Sequence, residues 1–177
     1  RVNSKYADQL PFSVDPAKDV ITQRSAKQTF DIVMGHIFNP IKDFKDGVGD
    51  FIDLQKPFLL VSQHPVTTEY NKTAEHFLNT LRAIEKVGIQ TIFLWPNADA
   101  GSGKIALKIR QWREGHKKIK SHFFKNLAAE DYLKLMHKTS CLVGNSSSGI
   151  RDGGYIGTPV VNIGTRQNGR ERGPNVI

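Results

Sequence analysis

Cysteine is almost absent from this 177-residue chain: Cys141 stands alone, within the apolar run Cys141-Leu142-Val143, so no disulfide can form inside the chain. That residue reads as a small core hydrophobe, which suits a reducing compartment. Nowhere does the sequence approach the roughly 18 consecutive apolar residues of a membrane span, and the start at Arg1 lacks the pattern of a secretory leader, so a cytoplasmic location is expected. There is no Cys/His spacing of the zinc-binding type, no GxGxxG and no Walker A run. Metal, dinucleotide and P-loop readings therefore have no specific support, and no cofactor is expected. Acidic residues are outnumbered, 17 against 25 Lys and Arg, for a formal charge of +8. The basic residues are scattered: Lys117-Lys118-Ile119-Lys120 and Arg170-Glu171-Arg172 are short clusters without interleaved aromatics. A solvated basic face and a small anionic ligand fit this distribution better than nucleic acid does.

What is present is the composition of a soluble globular protein, 38% hydrophobic and 24% charged. From residue 57 onward, short apolar runs alternate with segments of helical period, the signature of βαβ units. Strands are expected at 58–62, 91–95, 119–124, 141–143 and 159–163. Helices are expected at 71–87, where Ala74, Phe77, Leu78, Leu81 and Ile84 share one face ahead of Gly88, and at 102–114, with Ile105, Ile109 and Trp112. Two more follow, at 128–137 with Tyr132, Leu133 and Met136 inward, and from 149 to about 155. This order predicts an α/β fold with a Rossmann-like, doubly wound parallel sheet over 57–177. Residues 1–56 are broken by Pro11, Pro16, Pro40, Gly47 and Gly49, and only 24–38 has helical character. They are expected to form a linker or interdomain segment. The lack of an initial methionine and the ending on Asn175-Val176-Ile177, which reads as the start of a strand or turn, suggest a piece of a longer chain, truncated at its C-terminal end.

In an open parallel sheet, ligands bind outside the carboxyl ends of the strands. The most informative segment there is Gly144-Asn145-Ser146-Ser147-Ser148-Gly149. Small residues between a strand and a helix let the backbone approach a ligand closely, and amides at a helix start favour an anion. The serine hydroxyls add donors, so the run reads as a diphosphate cradle. An ordinary serine cap followed by a glycine turn would produce the same residues. Asp152, one turn on, could accept from both hydroxyls of a ribose or simply face solvent. Arg166, after the last strand, could hold phosphate oxygens in bidentate fashion; Arg170 is a weaker candidate because Glu171 adjoins it. His64 directly follows the first strand, between Gln63 and Pro65, where it could donate to a phosphate and change charge near neutral pH.

Three ordered segments resemble one known family. They are Gln63-His64-Pro65-Val66-Thr67-Thr68-Glu69, then Pro96-Asn97-Ala98-Asp99-Ala100-Gly101-Ser102, and then the run from Gly144 to Asp152 that continues through Gly157-Thr158-Pro159-Val160-Val161-Asn162 to Gly164-Thr165-Arg166-Gln167-Asn168-Gly169-Arg170-Glu171. Together they resemble the hydrolysing UDP-N-acetylglucosamine 2-epimerases of sialic acid biosynthesis. The resemblance implies a two-lobed fold like that of GT-B glycosyltransferases, with 57–177 as the UDP-binding C-terminal lobe. It implies that His64 lies beside the diphosphate and the reacting sugar as a catalytic residue, and that Ser146, Ser147, Ser148, Gly149 and Arg166 bind phosphate. Asp152 would take the place of a ribose-binding acid and Tyr132 would lie near the uracil. The implied reaction releases UDP through a glycal and adds water to give N-acetylmannosamine, without cofactor or metal. The whole protein is expected to be a homo-oligomer that binds a UDP-sugar and neither nucleic acid nor membrane. The proton-moving carboxylates are expected in an N-terminal lobe, so this chain alone should bind UDP weakly and turn over nothing. A non-hydrolysing 2-epimerase, a GT-B glycosyltransferase and a regulatory nucleotide-binding module are the competing readings.

Overall fold

Residues buried on both sides of a sheet read as unbroken apolar runs, and Phe58-Leu59-Leu60-Val61-Ser62 becomes the central strand. In a computed structural model of the chain, which describes residues 47–96, 100–115 and 118–177, this strand is β2 (Phe58–Ser62). The other strands are β1 (Val48–Gly49), β3 (Gln90–Leu94), β4 (Ser121–Phe124), β5 (Cys141–Gly144) and β6 (Val160–Asn162). Their order across the sheet is β1-β4-β3-β2-β5-β6. All pairs from β2 onward are parallel, and β1 alone runs antiparallel, against β4. The expected Rossmann-like parallel sheet is therefore present. Val176 makes a further parallel bridge to Val160 beyond β6.

Alternation along the strands divides the core into two layers. Phe58, Leu60, Ile92, Phe124, Leu142 and Val160 face one side, where α3 (Ala129–Lys138) packs Leu133, Leu135 and Met136 upon them. Leu59, Val61, Phe93 and Phe123 face the other. There they meet Phe77, Leu81 and Ile84 of α1 (Thr73–Val87) and Ile105, Ile109 and Trp112 of α2 (Ser102–Gly115). Burying side chains of this size contributes roughly 1.5–3 kcal/mol each before entropy is counted. The Trp112 indole donates to Glu85 Oε1 at 2.8 Å, joining α2 to α1 through a group that would otherwise be buried unpaired. Gly88 ends α1 at φ 73°, as a left-handed cap requires.

Two differences from the sequence expectation have local causes. The short strand β1 lies inside the segment read as linker: Asp50 N donates to Ser121 O at 2.8 Å and Ser121 N donates to Asp50 Oδ2 at 3.1 Å. Two residues, one of them glycine, carry no strand periodicity, so this edge is invisible without its partner. The helix expected from 149 to 155 is instead two short ones, α4 (Ser147–Ile150) and α5 (Asp152–Ile156), divided at Arg151. Asn175 Nδ2 donates to Gly149 O at 3.3 Å at the break, and Gly153-Gly154 are poor helix formers. The helix expected at 24–38 lies outside the described residues.

After β4 the chain returns across the sheet to lay β5 against the opposite side of β2, so the strand order reverses between β2 and β5. That is the topological switch point, where ligand crevices form. The crevice floor there is backbone. Gly144 has φ 145°, and a Cβ on it would stand 2.0 Å from Ser62 O. Gly144→Ala is expected to lower stability by more than about 3 kcal/mol, through clash and backbone strain together. A urea unfolding midpoint within error of the native value would contradict this.

Candidate functional site

The β2 and β5 strand ends are joined across the switch point by one side chain. Asn145 Oδ1 accepts from His64 N at 2.7 Å, and Asn145 Nδ2 donates to His64 O at 2.9 Å. Asn145 N donates in turn to Ser62 O at 3.1 Å. Its carbonyl accepts from Gln167 Nε2 at 2.7 Å and from Arg166 Nη1 at 3.2 Å. Asn145 is 2% exposed and His64 8%, so these bonds are made away from water, where leaving one open is costly. The three segments that hold His64, the serine run and Arg166 thus meet on a single asparagine.

The serine run is both a cap and a cluster of hydroxyls. Ser146 is the N-cap of α4, and its Oγ accepts from Ser148 N at 3.4 Å. The Ser146 and Ser148 hydroxyls share a hydrogen bond of 2.8 Å, and Ser148 Oγ shares another of 2.6 Å with the Tyr132 hydroxyl. Tyr132, on α3, is thereby brought against the cradle. Burial pushes its phenol above the usual range, the bond to Ser148 pulls the other way, and the charge of Asp152 adds to the rise. Asp152, half-buried at the start of α5, is within electrostatic reach of the same hydroxyl. Ser147 opens α4 and is half-buried. Gly149 is turned to the sheet: a Cβ there would meet Leu142 Cδ2 at 3.1 Å and Val160 Cγ1 at 3.2 Å. Its amide donates to Ser146 O at 3.2 Å. Its lack of a side chain serves close helix-to-sheet packing, a role that the sequence alone does not separate from ligand approach.

The division of the helix at Arg151 alters the electrostatic argument for this loop. A macrodipole grows with aligned peptide units, and α4 has 4 residues. What an anion would meet here is therefore local: hydroxyls and the Arg166 guanidinium. A second connection spans the crevice on the α1 side. Thr165 Oγ1 donates to Glu69 Oε1 at 2.6 Å, and Glu69 Oε2 lies 3.5 Å from His76 Nδ1. Glu69 belongs to a 3-10 segment (Thr67–Lys72) with a kink at Glu69 itself. Asn145, Gln167, Glu69 and Thr165 all lie in segments that the sequence marked, yet no local signal shows that they touch. Arg170 is exposed.

A doubly wound α/β sheet with hydroxyls, a histidine and an arginine gathered at its switch point has the layout of a nucleotide-type ligand site. The family model for UDP-N-acetylglucosamine 2-epimerase matches residues 28–177, and the chain belongs to that family. It is 34% identical over 125 residues to a GDP/UDP-N,N'-diacetylbacillosamine 2-epimerase (hydrolyzing) of Campylobacter jejuni, covering 70% of this chain and 32% of that protein. It is 32% identical over 114 residues to a UDP-N-acetylglucosamine 2-epimerase of Neisseria meningitidis, covering 64% of this chain and 29% of that protein. A solved UDP-N-acetylglucosamine 2-epimerase of Rickettsia bellii is also similar, at 18% identity and a TM-score of 0.45, covering 86% of this chain and 34% of that one. The chain spans about a third of the length of the curated relatives it matches. Among the described residues, no helix is long and apolar enough to cross a membrane.

Two outcomes test this geometry. Asn145→Ala opens the paired bonds to His64 while leaving the backbone donor in place, and is expected to cost about 2–4 kcal/mol in urea unfolding; a loss under about 1 kcal/mol would contradict the bridging role. The raised Tyr132 phenol binds its proton more tightly folded than unfolded. Its contribution to stability is therefore full below about pH 10 and is lost as pH rises from there through the folded value. Tyr132→Phe should flatten that part of the stability profile. An unchanged alkaline slope would show that Tyr132 does not cause it.

Proposed function

We propose that this chain is the UDP-binding lobe of a hydrolysing UDP-N-acetylglucosamine 2-epimerase with a two-lobed, GT-B-like architecture. The observation that carries the reading is the junction at Asn145, which puts His64, the serine hydroxyls and Arg166 around one crevice at the switch point. The word hydrolyzing in the name of the Campylobacter relative supports the branch.

In this reading, Ser146, Ser147 and Ser148 line the diphosphate, Gly149 lets their helix lie close on the sheet, and Arg166 pairs with the diphosphate oxygens. Asp152 faces the ribose and Tyr132 the base end. His64 stands between the diphosphate and the sugar. In the reaction the anomeric C–O bond breaks and C2 gives up its proton, so that UDP leaves and a glycal remains. Water then adds across the double bond, oxygen to C1 and hydrogen to C2, giving N-acetylmannosamine. Negative charge grows on the departing diphosphate, so donors already fixed in place stabilise the transition state more than the substrate. Arg166 is such a donor, and its bond to Asn145 O is part of what holds it there. A carboxylate base and acid for the C2 and ring-side protons belong, on this reading, to the other lobe. The whole protein is taken to act as a cytoplasmic homo-oligomer.

The name of the Neisseria relative carries no hydrolysing qualifier, and a non-hydrolysing 2-epimerase is the second reading. Product analysis of the whole protein separates them: free UDP with N-acetylmannosamine supports the first, and a retained UDP-sugar supports the second. The site has a more direct test. UDP at about ten times its Kd should raise stability by about 1.4 kcal/mol, roughly 3–6 °C in Tm. Arg166→Ala should abolish most of that shift, and an undiminished UDP response in this variant would remove Arg166 from the site.

A further inference from the structure

The loop that carries Arg166 is tied to β5 along its length. Ile163 N donates to Gly144 O at 2.8 Å, and the Gln167 and Arg166 side chains both donate to Asn145 O. Between these anchors the chain turns at Gly164, with φ 75°, and brings Thr165 to the surface. A contact from the β2 side meets it there: Thr165 Oγ1 donates to Glu69 Oε1 at 2.6 Å. Glu69 is itself held from behind. It departs from helical angles within the 3-10 segment Thr67–Lys72, at φ −123° and ψ 32°, and its second oxygen lies 3.5 Å from His76 Nδ1. His76 belongs to the 15-residue helix α1, which is seated on the sheet through the neighbouring Phe77. One carboxylate oxygen thus faces a packed helix and the other faces the loop of Arg166.

The chemistry of this contact has one direction. An ionised carboxylate has no proton to give, so Thr165 is the donor and the bond is charge-assisted, with the short length of that class. A carboxylate also repels a diphosphate, so Glu69 is unsuited to touch the ligand proposed for the crevice. What its two contacts do is set where Thr165 stands, and a single peptide bond joins Thr165 to Arg166. The guanidinium is thereby referred to both sides of the switch point, to β5 through Asn145 and to α1 through Glu69. Donors aimed at charge lose much of their effect when displaced by about 1 Å, so such a double reference bears on binding as well as on fold.

We propose that Glu69 is a positioning residue for Arg166: through Thr165 it holds the loop after β6 at the distance from β2 at which the guanidinium meets the diphosphate. The assignment rests on the proposed UDP reading of the crevice. It gives the segment that follows His64 a part in gripping the leaving group without touching it.

Calorimetric titration of the chain with UDP tests the assignment by the sign of an effect. On charge alone, Glu69→Leu removes a negative group from the neighbourhood of an anion and should tighten UDP binding. Loss of a positioning residue should instead weaken it, by about three- to tenfold. Thr165→Val, which keeps the size and removes the donor, should show a similar loss, and the double variant little more than either alone. Thr165→Ser restores the hydroxyl and should bind UDP within about twofold of the native chain. In an Arg166→Ala background, Thr165→Val should change affinity by less than about twofold, because the group it positions is gone. If Arg166→Ala weakens UDP binding while Glu69→Leu and Thr165→Val leave it unchanged or tighter, the contact is an ordinary surface pair. The proposal then falls and the crevice reading stands. A Thr165→Val loss that persists in full without Arg166 would overturn it as well. A native chain indifferent to UDP would bring down the crevice reading, and this assignment with it.

Discussion

The reciprocal pair between the Asn145 amide and the His64 backbone is the constraint on which the crevice depends. Two parallel strands end side by side and would otherwise diverge into separate loops, since nothing in a parallel ladder continues past the last paired residue. Asn145 extends the pairing by one further rung made of side chain: its amide presents to His64 the same donor and acceptor that a peptide would. Aspartate lacks the donor and leucine lacks both. Once that rung is set, the Asn145 carbonyl becomes a fixed acceptor, and the loop after β6 is drawn over it by Gln167 and Arg166.

This arrangement distributes the work between the two faces of the sheet. On the α3 side, a chain of hydroxyls from Tyr132 through Ser148 to Ser146 makes a surface that can turn its protons toward an arriving anion. On the α1 side, the Thr165–Glu69–His76 series fixes the spacing between the loops that follow β6 and β2. The first region is adaptable because hydroxyl rotors are; the second is set by a carboxylate held at short distance. Rotatable hydroxyls on one face of the sheet thus lie next to a rigidly spaced pair of loops on the other.

Much of the fold was legible because its signals are local and redundant. The runs at Phe58 and Cys141 and the stripe Phe77, Leu81, Ile84 each specify their element without help from distant residues, and the alternation of types implies a parallel sheet. The candidate site was legible only as separate fragments, which the structure places at strand ends. What the sequence did not reveal is contact: Thr165 and Glu69 are 96 positions apart, His64 and Asn145 are 81 apart, and only the strand order brings either pair together. The division of the helix at Arg151 was hidden for a related reason, since the Asn175 side chain that donates to Gly149 O comes from 26 positions further along the chain. Gly149 shows a different limit: an absent side chain looks the same in a sequence whether it makes room for a ligand or for Leu142 and Val160.

The two-residue strand β1 has a practical consequence. Composition invites a domain boundary at residue 57, yet Val48, Gly49 and Asp50 occupy the outer hydrogen-bonding edge of β4. A protein trimmed at that boundary would expose the Ser121–Phe124 edge, with Phe123 and Phe124 beside it, as a template for another molecule's backbone. The few residues that look like packaging before the domain thus cover an edge that it would otherwise leave open.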